Sequence, residues 1–154
     1  MTDVKNHDFT LQTGVRRAGL PVHDMWVRLT IDTNLNVVDA VAVSDAVPYR
    51  GGCETIGPAY ARLIGLNLMD GFRKKVRERL GGVHGCTHIS EMLGFFPTAA
   101  IQTFAGERRE QPDDGRKPFQ IDQCHALDSG SETGRRMYPK RYGNKNAKKS
   151  ENEG

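Results

Sequence analysis

The residues of this sequence best suited to chemistry are its cysteines and the histidines beside them. Cys86 and His88 flank the predicted start of a helix, and Glu91 follows His88 by three residues, on the same helical face. Unpaired backbone N–H groups and the positive end of the helix dipole stabilise a thiolate at such a position. A thiolate is the form that binds a metal ion and also the form that attacks as a nucleophile, so both chemistries are open.

The other cysteines and histidines also fall at predicted element boundaries or in loops, where sites are usually built. Cys53 follows a Gly-Gly turn, and Cys124 and His125 are adjacent to each other. The ordinary alternative is a set of buried free thiols and loop histidines. We expect a metal site, for zinc, iron or an iron–sulfur cluster, formed by Cys53, Cys86, His88 and His23, with Asp24, Cys124 and His125 as additional candidates.

Two other functions remain open. In an enzyme, Cys86 would be a nucleophile, or a metal ion would activate water with Glu91 or Asp24 as general acid or base. In a binding module or small subunit, the basic C-terminal segment would dock a larger protein partner. The sequence contains no Walker A motif, no Gly-x-Ser-x-Gly, no His-Glu-x-x-His and no Cys-x-x-Cys, so no standard signature chooses between them.

Apolar alternation predicts a β-hairpin in the first third of the chain. Residues 26–31 alternate with Val27, Leu29 and Ile31 on one face, which is the period of a half-buried strand. Turn-forming residues at 32–36 separate this segment from a β-branched run over 37–47. An earlier strand around residues 9–15 is expected to add to the sheet.

Three amphipathic helical patterns follow the hairpin. The first runs from Ile56 to Ile64 and ends at Gly65, the second runs from Met69 to Leu80, and the third begins at Thr87 and restarts at Pro97. A charged linker over residues 106–118 comes next. These patterns predict an α+β fold, with a small antiparallel sheet packed against three or four helices.

Charge is distributed unevenly along the 154 residues. Residues 134–154 hold seven Lys or Arg and two acidic residues, whereas the remainder holds 15 basic and 17 acidic residues. The positive net charge therefore belongs to a predicted disordered basic tail, 134–154, behind a single domain, 1–133. A nucleic-acid partner is unlikely for such a body, and a small molecule or protein is the expected partner. The polar first residues predict neither a secretion signal nor a membrane span, hence a cytoplasmic protein.

Four segments together resemble a bacterial family known as a domain of unknown function, numbered 2889. They are HDMWVRLTID, then a Pro-Tyr and a Cys, then GCTHISEML, and finally CHAL, and the likeness covers roughly residues 19–139. This resemblance implies one domain and no particular activity.

The segment LPVHDMWVRLTIDTNLNVVDAVAV is similar in layout to the opening hairpin of the U-type iron–sulfur scaffold proteins. This resemblance implies a small antiparallel sheet packed against helices, with a cluster or metal site. It places His23 and Asp24 at the first Cys-Gly-Asp of that family, Cys53 at the second cysteine and Cys86 at the cysteine of a late helix, with His84 or His88 as its histidine. Imidazole replaces the first thiolate here, and such a mixed set also suits zinc or a mononuclear metal.

Overall fold

The structure is a computed structural model that describes residues 1–105 and 120–139. The chain divides into two compact units, Met1–Arg109 and Glu110–Gly154. The described part of the first unit holds five strands and three α-helices. They are β1 (Thr2–Val4), β2 (Phe9–Leu11), β3 (Gly14–Arg16), β4 (Pro21–Ile31), β5 (Val37–Ala46), α1 (Phe72–Leu80), α2 (Thr87–Met92) and α3 (Phe96–Thr103).

The predicted hairpin is the centre of a three-stranded antiparallel sheet in the order β1–β4–β5. β4 begins at Pro21, five residues before the predicted strand. The segment around residues 9–15 does not join this sheet, which corrects the prediction. β2 and β3 pair only with each other, joined by a turn at residues 12–13, and Gly14 directly after this turn has a φ of 121°. The third strand of the sheet is β1, which no sequence pattern indicated.

The turn between β4 and β5 is built around the carboxylate of Asp32. Its Oδ1 accepts hydrogen bonds from the backbone N–H groups of Asn34 (2.9 Å) and Asn36 (2.8 Å). Aspartate that bonds to the backbone two residues onward is a common turn former. The predicted turn at residues 32–36 is therefore confirmed.

The first predicted helix forms as a 3₁₀ helix, Cys53–Leu63, and not as an α-helix. Pro58 lies in its middle and has no N–H to donate, so the α-helical bonding pattern is interrupted there. With three residues per turn, the buried face changes. Tyr60 and Leu63 are fully buried, whereas Ile64, which belonged to the predicted stripe, is 45% exposed.

The other two predicted helical segments are confirmed with shorter bounds. α1 begins at Phe72 rather than Met69 and buries Phe72, Val76 and Leu80 before Gly81. A 3₁₀ turn, Leu93–Phe95, joins α2 to α3, and Pro97 lies in the first turn of α3. These helices and the 3₁₀ helix enclose one core with the sheet, and the α+β class is confirmed. The largest fully buried side chains of this core are Tyr60, Phe72, Met25, Leu63, Leu80, Ile89, Leu93 and Val37.

The described part of the second unit is helical. It contains a 3₁₀ turn, His125–Leu127, and a helix α4, Glu132–Met137, whose N-terminus is capped by Ser131 Oγ (2.9 Å from the Gly134 N). α4 crosses the predicted start of the basic tail at residue 134. Residues 140–154 of that tail and the predicted linker 106–118 lie outside the described residues, and the single domain over 1–133 stays a prediction. In the described ranges, no helix is long and apolar enough to cross a membrane.

Candidate functional site

Strand alternation places His23 on the face of the sheet that the helices cover. Both irregularities in the pairing of β4 with β5 add their extra residue to β5, so the alternation along β4 from His23 to Ile31 is unbroken. His23 therefore shares a face with Met25 and Val27, which belong to the core or pack against it. Its side chain is only 17% exposed. An imidazole in this setting needs polar partners from neighbouring elements.

Asp3 in β1 is the cross-strand partner of His23. Its Oδ1 accepts the backbone N–H of His23 at 2.7 Å and lies 3.0 Å from Nδ1 of the ring. Partial burial acts to raise the pKa of Asp3, but both hydrogen bonds and the charge of a protonated His23 outweigh it, and the pKa lies below its ordinary value. An ionised carboxylate only accepts, so Nδ1 of His23 carries the proton. Whenever the ring carries only this proton, Nε2 keeps a lone pair for another ligand.

The start of α2 brings Cys86 and His88 to this imidazole. Cys86 is the N-cap residue of α2, with extended backbone, and His88 lies in the first turn. The His88 and His23 rings lie with their centroids 4.5 Å apart and tilted by 49°. The Cys86 Sγ is 3.9 Å from Nδ1 of His88. The His88 ring thus lies against the His23 ring and within reach of the Cys86 thiol, at the edge of the core.

The backbone at Cys86 is fixed by a buried tyrosine and a close glycine. The Tyr60 hydroxyl accepts the Cys86 N–H (3.0 Å), donates to the Cys86 carbonyl (3.0 Å) and lies 3.1 Å from Ser90 Oγ. Burial is the largest effect on Tyr60, and its pKa is raised despite the hydrogen bonds from Ser90 and Cys86. Gly85 passes so near the Leu80 carbonyl that a Cβ would collide with it. Cys86 is therefore held in one backbone conformation.

The remaining predicted site residues lie elsewhere. Cys53 begins the 3₁₀ helix and packs against the core, and among the described residues no hydrogen bond or ring contact joins it to Cys86, His88 or His23. Asp24 alternates to the opposite face from His23, where its Oδ1 accepts the Thr2 hydroxyl at 2.7 Å. Glu91 is exposed on α2. The other two candidates, Cys124 and His125, are exposed in the second unit.

The arrangement offers a soft sulfur ligand and two borderline nitrogen ligands on well-ordered elements. Within residues 1–105 and 120–139, no three Cys, His, Asp or Glu side chains form a group that could hold a metal ion. The same groups can also act as a thiol with a neighbouring base, since Nδ1 of His88 lies 3.9 Å from the Cys86 Sγ.

Sequence reasoning missed Asp3, Tyr60 and Ser90. Asp3 lies in a three-residue strand, which is too short for an alternation pattern to register. Tyr60 matched the apolar stripe of the predicted helix, so its hydroxyl gave no separate signal. The sequence related only Ser90 to the predicted site, because Ser90 follows Cys86 by four residues, across the first turn of α2.

Comparison with known proteins matches a family model to the unit that contains these residues. No curated protein and no solved structure matches the chain. The matching family model covers residues 1–102, so it includes β1 with Asp3 and ends within α3, before Cys124 and His125. The expected likeness over residues 19–139 is therefore shifted toward the N-terminus. This match spans well over half of the 154 residues, and the chain belongs to the family described as protein of unknown function, DUF2889.

Proposed function

We propose that this protein binds a transition-metal ion, zinc or iron, through His23, Cys86 and His88. The observation that carries the proposal is the position of the His88 ring beside two other candidate ligands. Its centroid lies 4.5 Å from that of the His23 ring, and its Nδ1 lies 3.9 Å from the Cys86 Sγ. The Asp3 carboxylate on Nδ1 of His23 adds support. Metal-binding histidines almost always donate their other ring N–H to a carboxylate, carbonyl or water, because this fixes the ring and its tautomer.

The distance between Cys86 and His88 needs only a small adjustment to suit two ligands of a tetrahedral ion. Zinc lies about 2.3 Å from a thiolate sulfur and about 2.0–2.1 Å from an imidazole nitrogen, which sets these ligand atoms roughly 3.5 Å apart. The Cys86 Sγ and His88 Nδ1 are 3.9 Å apart. A modest rotation of the exposed His88 side chain closes this gap, whereas Cys86 and His23 are already held by Tyr60 and Asp3.

The fourth coordination position distinguishes two versions of the site. Three protein ligands with an open position are typical of catalytic zinc, and four protein ligands are typical of structural zinc. Cys53 is the fourth ligand that the resemblance to iron–sulfur scaffold proteins implies, together with an accessory role in cluster or metal handling. Because no described contact joins Cys53 to the other three residues, a four-coordinate site would require Cys53 to approach them. A reducing compartment such as the cytoplasm would keep both thiols available.

Metal content of the purified protein tests the proposal. The full chain is prepared anaerobically and analysed for zinc and iron, and the metal-free protein is then titrated with Co²⁺. We expect a stoichiometric ion in the wild type and a thiolate-to-cobalt absorption band that is lost in Cys86→Ser and weakened in His23→Ala and His88→Ala. An iron–sulfur cluster would instead show its own visible absorption after anaerobic preparation.

Two cysteine variants serve as matched comparisons. Cys124→Ser removes an exposed thiol from the second unit and should leave the bound metal unchanged. Cys53→Ser reports on the fourth ligand. Loss of metal in this variant would indicate that Cys53 is the fourth ligand of the wild-type site, and retention of metal would indicate that the fourth position is open. A wild-type chain that takes up neither zinc, iron nor cobalt, or a Cys86→Ser variant with full metal content, contradicts the proposal.

The second candidate function is thiol-dependent catalysis, favoured by the position of His88 beside Cys86. An imidazole that withdraws the thiol proton would make Cys86 a nucleophile. The metal-free protein is labelled with iodoacetamide across pH, with His88→Ala as the matched variant. A catalytic thiolate reacts well below the ordinary thiol pKa of about 8.5 and depends on His88. Ordinary reactivity in both proteins excludes this alternative and leaves the metal site as the remaining function of these residues.

A further inference from the structure

A second surface lies away from the residues discussed so far, in a groove between α1 and α3. Its floor is formed by buried Leu68 and Phe72, and its sides include Pro97 and Ile101. Met69, at its edge, is 54% exposed. The groove has a volume of about 500 Å³ and is open along one side. Exposed Met69 and half-buried Pro97 and Ile101 are its accessible apolar residues, and apolar surface rimmed by polar residues commonly marks a binding site.

The charged residues that line this groove are all basic. Arg73, Lys74 and Arg77 of α1 line it, and among the described residues that line it none is Asp or Glu. Lys74 lies 3.7 Å from Glu78, but both side chains are more than half exposed, so this pair is weak. Arg77 has no ion pair with any residue in the described ranges. A partner with carboxylates beside apolar side chains would match both features of the surface.

One wall of the groove is held in place by Arg73. Its Nε and one terminal nitrogen donate to the Gly94 carbonyl at 3.1 and 2.9 Å, which ties α1 to the turn between α2 and α3. Phe95, the next residue, is 75% exposed and extends the apolar surface beside the groove. The groove is therefore preformed, and binding would order few groups in this protein.

We propose that this groove binds an acidic amphipathic helix from a partner protein. A helix in a groove presents apolar side chains at i, i+3 or i+4 and i+7 to the floor, with its charged flank against the rim. The positive charges of Arg73, Lys74 and Arg77 on the rim would then face the glutamates or aspartates of the partner. A flat anionic membrane fits less well, because the lining offers one strongly exposed apolar side chain, Met69, and membrane binding scales with the apolar area that is buried.

The test uses a fluorescein-labelled 18-residue peptide with leucines at helical spacing and glutamates on the flank. A scrambled peptide of the same composition is the first control, and vesicles of phosphatidylglycerol and phosphatidylcholine are the second. Anisotropy is measured with the full chain. We expect the amphipathic peptide to bind, the scrambled peptide to bind at least about tenfold more weakly, and added salt to weaken the complex because the rim pairs are exposed.

Charge reversal on α1 separates the groove from general electrostatic attraction. Arg77→Glu should weaken peptide binding about fivefold or more, since it replaces an attraction by a repulsion at the rim. Arg79→Glu changes the net charge equally on the same helix but lies outside the groove lining, and should leave binding nearly unchanged. Equal effects of the two variants, equal binding of the two peptides, no peptide binding, or binding to phosphatidylglycerol vesicles alone would each overturn the proposal.

Discussion

The site around Cys86 and the groove between α1 and α3 differ in how their polar groups are held. At the site, Asp3 fixes the ring of His23 and Tyr60 fixes the backbone of Cys86. At the groove, Lys74 and Arg77 extend into solvent, and only Arg73 is tied to the backbone. Preorganised groups suit a ligand that demands exact geometry, as a metal ion does. Exposed charges on an apolar groove suit a larger partner that is selected by charge sign and shape.

The largest expected effect separates the two surfaces directly. Cys86→Ser should lower the zinc affinity by more than about 100-fold, which exceeds the 10–100-fold cost of losing a partner of a metal ligand. Because the groove does not include Cys86, peptide binding should not change. Competition with a chromophoric chelator measures the affinity, and anisotropy measures the peptide. A variant that loses both activities together would show that the two surfaces are not independent.

Asp3→Asn should weaken zinc binding by about 10–100-fold, because the amide cannot hold Nδ1 of His23 as an ionised acceptor does. The matched control is Thr2→Val in the same strand, since Thr2 bonds to Asp24 on the opposite face of the sheet. This control should leave the affinity within about twofold. Equal losses in both variants would indicate that β1 acts only by completing the sheet.

Tyr60→Phe should lower the free energy of unfolding by about 1–3 kcal/mol, the usual cost of leaving buried polar groups without a partner. The lost hydroxyl leaves the backbone of Cys86 and the Ser90 hydroxyl short of a hydrogen bond. Urea denaturation of the metal-free protein measures the change. Tyr49→Phe, at a side chain that is 62% exposed, is the control and should fall within about 0.5 kcal/mol of the wild type.

Tyr60 should also make the stability fall at alkaline pH. Burial raises its pKa in the folded chain above the ordinary value of 10.0. Below pH 10.0 both states are protonated and the contribution is complete. As pH rises above this value, the unfolded chain loses the proton first and stability decreases. The unfolding free energies of wild type and Tyr60→Phe should therefore converge above pH 10.0, and parallel curves would show that this hydroxyl titrates alike in both states.

The smallest expected effect is that of Arg77→Glu on stability. Arg77 lies on the exposed side of α1 and has no ion pair with any described residue, so its replacement should change the unfolding free energy by no more than about 0.5 kcal/mol. Thermal and urea denaturation measure this. A large destabilisation would mean that the rim of the groove contributes to the fold, in contrast to the interpretation as a binding surface.

The sequence predicted the hairpin and two of the three helical segments well because their patterns are local. Apolar alternation in β4, the turn chemistry of Asp32 and the stripe of Phe72, Val76 and Leu80 are each readable within a dozen residues. It failed where the outcome depended on contacts far along the chain. The place of β1 beside β4, and the separation of β2 and β3 from the sheet, follow from long-range strand pairing that no local pattern encodes.

For the candidate site, the sequence by itself determined which chemistry was available and where the ligands could lie. It placed Cys86 and His88 at a helix start and His23 at the start of a strand. Only the tertiary structure decided that His88 meets both Cys86 and His23, that Asp24 alternates away from them, and that Asp3 and Tyr60 support them. The physical reason is that residue types and short-range periodicity are properties of the chain, whereas the contact of β4 with α2 arises from burial of one shared core.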